Sequence, residues 1–164
     1  ASHLTATQDQ FIEGEATIIE LSGVYKRYHA PMARTVLLGK PDQLKIDTMK
    51  KTIEALQAGI DATKPGNTVN DVAQAFWKIL DKYGIEKKSR TGYSIGIGYP
   101  PDWGEHTLNI YKGDMTLLKP NICFHMIAVM QFGEWGVEAS EAIRVTDKGP
   151  ELFCNLSKEL HVKS

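Results

Sequence analysis

Hydrophobic positions along the chain change their period twice. Ala16–Leu21 (ATIIEL) and Arg34–Leu38 (RTVLL) are apolar and rich in β-branched side chains, which predicts two strands. Ser22-Gly23 and Ala30-Pro31 between them carry turn chemistry, so the expected connection is a structured loop. From Pro41-Asp42 the period lengthens. Ile46, Met49, Ile53, Leu56 and Ile60 fall on one helical face, with a stop expected near Pro65-Gly66. Thr68 and Asp71 form a variant capping box that opens a second helix. Val72, Phe76, Ile79, Leu80 and Tyr83 are its apolar face and Gly84 its C′ residue. Glycine, proline and aromatics then dominate from Gly92 through Trp103-Gly104. Two long strands are predicted over Ile122–Phe132 and Val137–Thr146, with a turn at Gly133–Gly136 and a shorter strand around Glu151–Cys154. Strands, two helices and strands again predict a single α+β domain with helices packed on a mostly antiparallel sheet.

Charge and composition remove several function classes. Nineteen Lys+Arg stand against twenty Asp+Glu, a net charge of -1, so the basic footprint of a nucleic-acid binder is missing. The one basic cluster, Lys87, Lys88 and Arg90, reads as a solvated turn. No apolar run approaches the ~20 residues needed to cross a bilayer. The two cysteines, Cys123 and Cys154, are far apart, which suggests reduced thiols and a cytoplasmic setting.

Two motifs invite a chemical reading and fail. Gly92-Tyr93-Ser94-Ile95-Gly96 matches the G-x-S-x-G nucleophile elbow, but that motif needs a helix directly after it. Ile97-Gly98-Tyr99-Pro100-Pro101 follows instead, and no helix starts through it. The five histidines (3, 29, 106, 125 and 161) show no metal-ligand spacing, and there is no C-x-x-C. His3 and His161, near the termini, are read as structural or solvated.

Four blocks carry a resemblance: IIELSGVYKRYHAPMART (18–35), GYSIGIGYPPDWGEHTLNI (92–110), LKPNICFHMIAVM (118–130) and WGVEASEAIRVTDKGPELF (135–153). In this order they resemble the pita-bread family of creatinase, aminopeptidase P and prolidase, and are most similar to the ectoine hydrolases. The resemblance implies a curved antiparallel sheet with packed helices, incomplete at the N-terminus. It implies that residues 1–164 are the C-terminal part of a larger catalytic domain, and that the complete enzyme is a homodimer.

The family's metallopeptidases hold two metal ions through two Asp, one His and two Glu. Anchoring on Arg34-Thr35 places Glu20 at the first Asp and Pro31 at the second, eleven residues later. The His position becomes Tyr93, the first Glu falls on Met126 or Ile127, and the second on Ser140. One candidate ligand of five survives, too few donors to offset four positive charges, so no metal or other cofactor is expected. The expected function is that of a metal-independent hydrolase of C–N bonds in small amidine or amino-acid derivatives. A protonated amidine already carries positive charge on the carbon to be attacked, so it needs anions and a base or nucleophile rather than a Lewis acid. A prolidase-like dipeptidase and a non-catalytic module binding a small molecule or peptide are the alternatives.

On this reading Glu20, a carboxylate in an apolar strand, is the nucleophile or general base. His29 and His125 are the other candidate catalytic groups. Tyr28 is expected beside His29 in the turn opposite, and Arg34 orients Glu20 or binds a substrate carboxylate. Asp102, Trp103 and Glu105 are read as an exposed acidic and aromatic loop suited to a small cation. Tyr93 is expected at the pocket wall, Glu138 holds the cation, and Glu141 supports the site from behind. The expected partner is therefore a small cationic substrate, with no nucleic acid and no membrane.

Overall fold

A computed structural model describes residues 8–164; His3 lies outside them. Strand β1 (Ala16–Tyr25) pairs with β2 (Tyr28–Leu38) without interruption, from Ala16 opposite Leu37 to Tyr25 opposite Tyr28. The turn is two residues long. Lys26 and Arg27 both have positive φ (46° and 70°), the backbone that matches the twist of a tight hairpin. This corrects the expected loop: Ser22-Gly23 and Ala30-Pro31 face each other within the ladder, because uninterrupted pairing overrides their turn preference.

Helix α1 (Gln43–Ala62) starts where expected, with the Asp42 carboxylate accepting from the Lys45 N–H at 2.8 Å. Met49, Leu56 and Ile60 are buried and Ile46 and Ile53 half-buried. Helix α2 (Val69–Lys82) opens on the Thr68–Asp71 capping box. Both helices cover one face of the sheet, where Phe76, Leu80, Phe124, Met126 and Ile143 build the main core. No helix among the described residues is long and apolar enough to cross a membrane.

Strands β3 (Gly92–Tyr99), β4 (Asp102–Asn109), β5 (Cys123–Phe132), β6 (Trp135–Thr146), β7 (Gly149–Leu152) and β8 (His161–Lys163) complete the sheet. The order is β1-β2-β3-β5-β6-β7, with β4 on β3 and β8 running parallel to β2. Three of these strands depart from the sequence reading, β3 among them, which forms where that reading finds only glycine, proline and aromatic content. Asp102–Glu105 lies in β4 rather than in a loop, and β8 is not foreshadowed by any pattern. Ser94 is no nucleophile: its hydroxyl bonds Thr107 Oγ1 at 2.8 Å and accepts from two backbone N–H groups of β4, filling an irregularity between β3 and β4.

The sheet curls until β2 packs against β6. Thr35 joins the two strands. Its hydroxyl donates to the Glu138 carbonyl (2.9 Å) and accepts from the Glu138 N–H (2.7 Å). Arg34 joins them a second time, donating to the Ser140 carbonyl at 2.8 Å. The Arg-Thr pair that anchors the resemblance therefore closes the curve on which the site is built.

Candidate functional site

Register on β5 and β6 decides which side chains share a face. Ile127 sits opposite Ser140 and Val129 opposite Glu138, so these four look the same way. Met126 looks the other way, onto α1 at Gly59, where even a Cβ would come within 2.7 Å of its sulfur. Of the two residues left open at that position, Ile127 is the one on the site face. Tyr93 lies across from His125 on β3, which adds its ring to this face.

Glu20 from β1, Tyr93 from β3, Ile127 and Val129 from β5 and Glu138 from β6 line one cavity of about 140 Å³. Lys87, Ser89 and Arg90, from the segment between α2 and β3, line its other side. Here the solvated-turn reading of the basic cluster is corrected for Lys87, which is half-buried and lines the cavity with two carboxylates, while Lys88 and Arg90 remain exposed. No local pattern marks this, because only the packing of the α2–β3 segment brings it over β5 and β6.

The electrostatics of the cavity are unusual. Glu138 is 3% exposed, and its carboxylate makes no hydrogen bond or ion pair among the described residues. Burial, and next the charge of Glu20, push it up to about 7, with Lys87 opposing. Burial pulls Lys87 down to about 8, with the Glu138 charge opposing. Tyr93 is pushed up to about 12, chiefly by burial.

Behind the cavity wall runs a line of polar groups. The Trp103 indole N–H donates to Tyr93 Oη at 2.7 Å. His125 Nδ1 lies 3.0 Å from the same oxygen, and His125 Nε2 lies 2.7 Å from Ser140 Oγ. His125 is fully buried with both ring nitrogens engaged, so it orients Tyr93 rather than meeting a ligand directly. Tyr93 and Ser140 thus direct their oxygens into this network.

Other expected site residues lie elsewhere. Arg34 spends all five N–H donors inside the protein: on the carbonyls of Ser157, Ala33, Ser140 and Leu156, and on Glu141 Oε1 at 2.5 Å. It has no donor left for a substrate, and the expectation that it orients Glu20 or binds a carboxylate is corrected. Glu141 is its buried counter-ion, with Lys158 Nζ 3.5 Å away. Tyr28, His29 and Glu105 line a different, larger cavity of about 910 Å³ beside the β1–β2 turn. Tyr28 and His29 belong to β2 rather than to a turn. The His29 Nδ1–H donates to the Arg27 carbonyl at 3.0 Å. The Asp102 carboxylate accepts from the Gly104 N–H at 2.8 Å and contacts His106 at 2.6 Å, which together hold it below the usual carboxylate range.

Residues 1–147 match the metallopeptidase family M24. The chain belongs to that family. It is 43% identical over 164 residues to the ectoine hydrolase of Halomonas elongata, a match covering 99% of this chain and 41% of that protein. In structure it is similar to the dipeptidase PepE of Mycobacterium ulcerans (TM-score 0.89, 24% identity, covering 98% of this chain and 43% of that one). The prolidase of Pyrococcus furiosus gives a TM-score of 0.86 at 20% identity, covering 95% and 46%. These likenesses establish the expected α+β pita-bread fold. The chain spans about two fifths of the length of these relatives.

The family name implies metal ions, and the residues present do not fit them. Pro31 has no donor atom, Ile127 is aliphatic, and the hydroxyls of Tyr93 and Ser140 are bonded to His125. No group of three or more His, Cys, Asp or Glu that could hold a metal ion occurs among the described residues. Neutral hydroxyls and carbon cannot offset the charge of two divalent ions.

Proposed function

We propose that this chain is part of the catalytic domain of a metal-independent hydrolase that opens C–N bonds in small cyclic or linear amidines, ectoine among them. The observation that carries this reading is the cavity that Glu20, Tyr93 and the buried carboxylate of Glu138 line together, Glu138 having no hydrogen bond or ion pair among the described residues. Two converging carboxylates suit a delocalised cation, whose charge already activates the carbon between its nitrogens. The likeness to an ectoine hydrolase supports the same substrate class.

In this reading Glu138 holds the cation. Glu20 takes a proton from the water that attacks the amidinium carbon, or attacks that carbon itself and is freed when water hydrolyses the resulting acyl-type intermediate, so that water supplies the product's oxygen in either case. The tetrahedral carbon then releases one nitrogen, which leaves as an amine after gaining a proton, and the other remains in an amide. Tyr93, held by Trp103 and His125, keeps its proton at neutral pH and donates it as a hydrogen bond toward the reacting centre or His125. The setting is a cytoplasmic homodimer, in keeping with the two free cysteines.

The full-length protein should hydrolyse ectoine at a rate that a chelator does not change, and should leave Xaa-Pro dipeptides intact. Dipeptide cleavage that depends on added manganese, cobalt or zinc, with no turnover of ectoine, would overturn the proposal.

A further inference from the structure

Two carboxylates alone would make the small cavity a cation site, yet its opposite side is basic. Lys87, Ser89 and Arg90 line it together with Glu20 and Glu138. The segment that carries them is held in place from behind. Trp77 on α2 donates its indole N–H to the Lys87 carbonyl at 3.0 Å, and the Tyr111 hydroxyl donates to the Lys88 carbonyl at 3.0 Å. Arg90 lies over the Tyr93 ring, 4.5 Å from its centroid, and donates to Asn109. Lys87 Nζ donates to Ser89 Oγ at 2.7 Å and forms no ion pair with a carboxylate among the described residues. Its remaining N–H donors are free for a ligand.

We propose that Lys87, with Arg90 beside it, is the anion-binding half of this pocket, so that the site selects a small zwitterion: the cationic group between Glu20 and Glu138, the carboxylate on Lys87. The proposal rests on reading this pocket as the substrate site and adds the determinant of specificity to it. A plain cation entering the cavity meets the two carboxylates but is repelled by Lys87 and Arg90. A plain anion is repelled by Glu20 and Glu138. A ligand with both charges meets an opposite charge on each wall, and the contact to Lys87 is a charge-assisted hydrogen bond. Burial raises the Glu138 carboxyl to about 7 and lowers the Lys87 ammonium to about 8, and a zwitterion gives the charged form of each an opposite charge in place of lost hydration. The dimensions agree: a cavity of about 140 Å³ suits one small ring and its substituents.

A matched pair of ligands tests this. Ectoine carries an amidinium and a carboxylate; 2-methyl-1,4,5,6-tetrahydropyrimidine is the same ring without the carboxylate. Binding of each to the full-length protein is measured by titration calorimetry in a Glu20→Gln background, which stops turnover, with Lys, Met or Arg at position 87. With Lys87 present, ectoine should bind at least tenfold more tightly than the decarboxylated ring. Lys87→Met should weaken ectoine ten- to a hundredfold and tighten the plain amidinium severalfold, because a repelling charge is gone. Lys87→Arg should restore the preference for ectoine. Circular dichroism melts of each variant separate loss of binding from loss of fold. If Lys87→Met shifts both ligands by the same factor, or neither, the proposal falls while the hydrolase reading stands. If the charge-dependent inversion is seen but protein with Glu20 intact turns over no ectoine, the zwitterion site stands and the hydrolase reading falls. Binding of neither ligand overturns both.

Discussion

Glu20 and Glu138 line the same cavity but differ in what surrounds them, and the roles proposed for them follow that difference. Glu138 is almost wholly enclosed, with a carboxyl raised to about 7, whereas Glu20 is half-buried on β1. A carboxylate that solvent and a reacting carbon can both reach is placed to attack or to accept a proton; an enclosed one is best suited to being neutralised by a bound cation. In the full-length enzyme Glu20→Gln should abolish turnover while the fold and most ground-state binding persist. Glu138→Gln should raise KM more than it lowers kcat, since loss of one cation-holding contact costs ~1–3 kcal/mol of binding. Steady-state kinetics of both variants check this, and a dead Glu138→Gln beside an active Glu20→Gln would reverse the assignment. Stability carries a second signature of Glu138. Its carboxyl titrates at 4.5 when unfolded and about 7 when folded, so the folded state holds the proton more tightly. Stability should therefore fall as pH rises from about 4.5 to 7 and remain lower above that. Glu138→Gln removes this loss. Its gain over wild type should be near zero at pH 4 and on the order of 2–3 kcal/mol at pH 8, read from denaturant titrations at the two pH values.

Among the elements, the seam between β2 and β6 carries the site. Thr35 bonds both the N–H and the carbonyl of Glu138, so the residue that sets the curl of the sheet also fixes the backbone from which Glu138 projects. Thr35→Val keeps the shape and leaves a buried N–H and carbonyl without partners. It should cost about 2–4 kcal/mol in stability and raise KM, whereas Thr35→Ser should preserve both. Thermal melts with kinetics on the same samples check it; a Thr35→Val protein of normal stability would show that the seam closes without the hydroxyl. The seam also explains Arg34. An arginine at the edge of an apolar run invites a functional reading, but its guanidinium is consumed by four carbonyls and Glu141. The helices, by contrast, announce themselves. Spacing of apolar residues, Asp42 and the Thr68–Asp71 box are local signals, and the structure places both helix starts on them.

For the molecule as a whole, family membership and donor chemistry point in different directions. The chain belongs to a metallopeptidase family, yet the positions that the resemblance assigns to the ligands hold proline, tyrosine, isoleucine or methionine, and serine beside a single Glu20. Elemental analysis of the full-length protein, purified without chelator and after dialysis against manganese, cobalt or zinc, should find far less than one equivalent per chain. Retention of about two equivalents would show that the domain finds donors outside this set.

The two helices with their starts, and the strands that became β1, β2, β5, β6 and β7, were legible in outline along the chain, because each depends on residue type and on spacing within a few turns; β3, β4 and β8 were not, and the replacement of four metal-ligand positions rests on the resemblance. Glu20, Tyr93 and Glu138 could be placed in one pocket from β-strand alternation and the resemblance together. Tertiary structure alone decided the rest. Ile127 rather than Met126 faces the site because the β5–β6 register sets it opposite Ser140. Tyr28, His29 and Glu105 line another cavity because the β1–β2 hairpin runs on to Lys26-Arg27 instead of folding back early. Lys87 and Arg90 join the carboxylates because Trp77 and Tyr111 hold the α2–β3 segment over the sheet. A charged residue in a short connection looks solvated in sequence. What it faces is set by long-range packing, which no local pattern encodes.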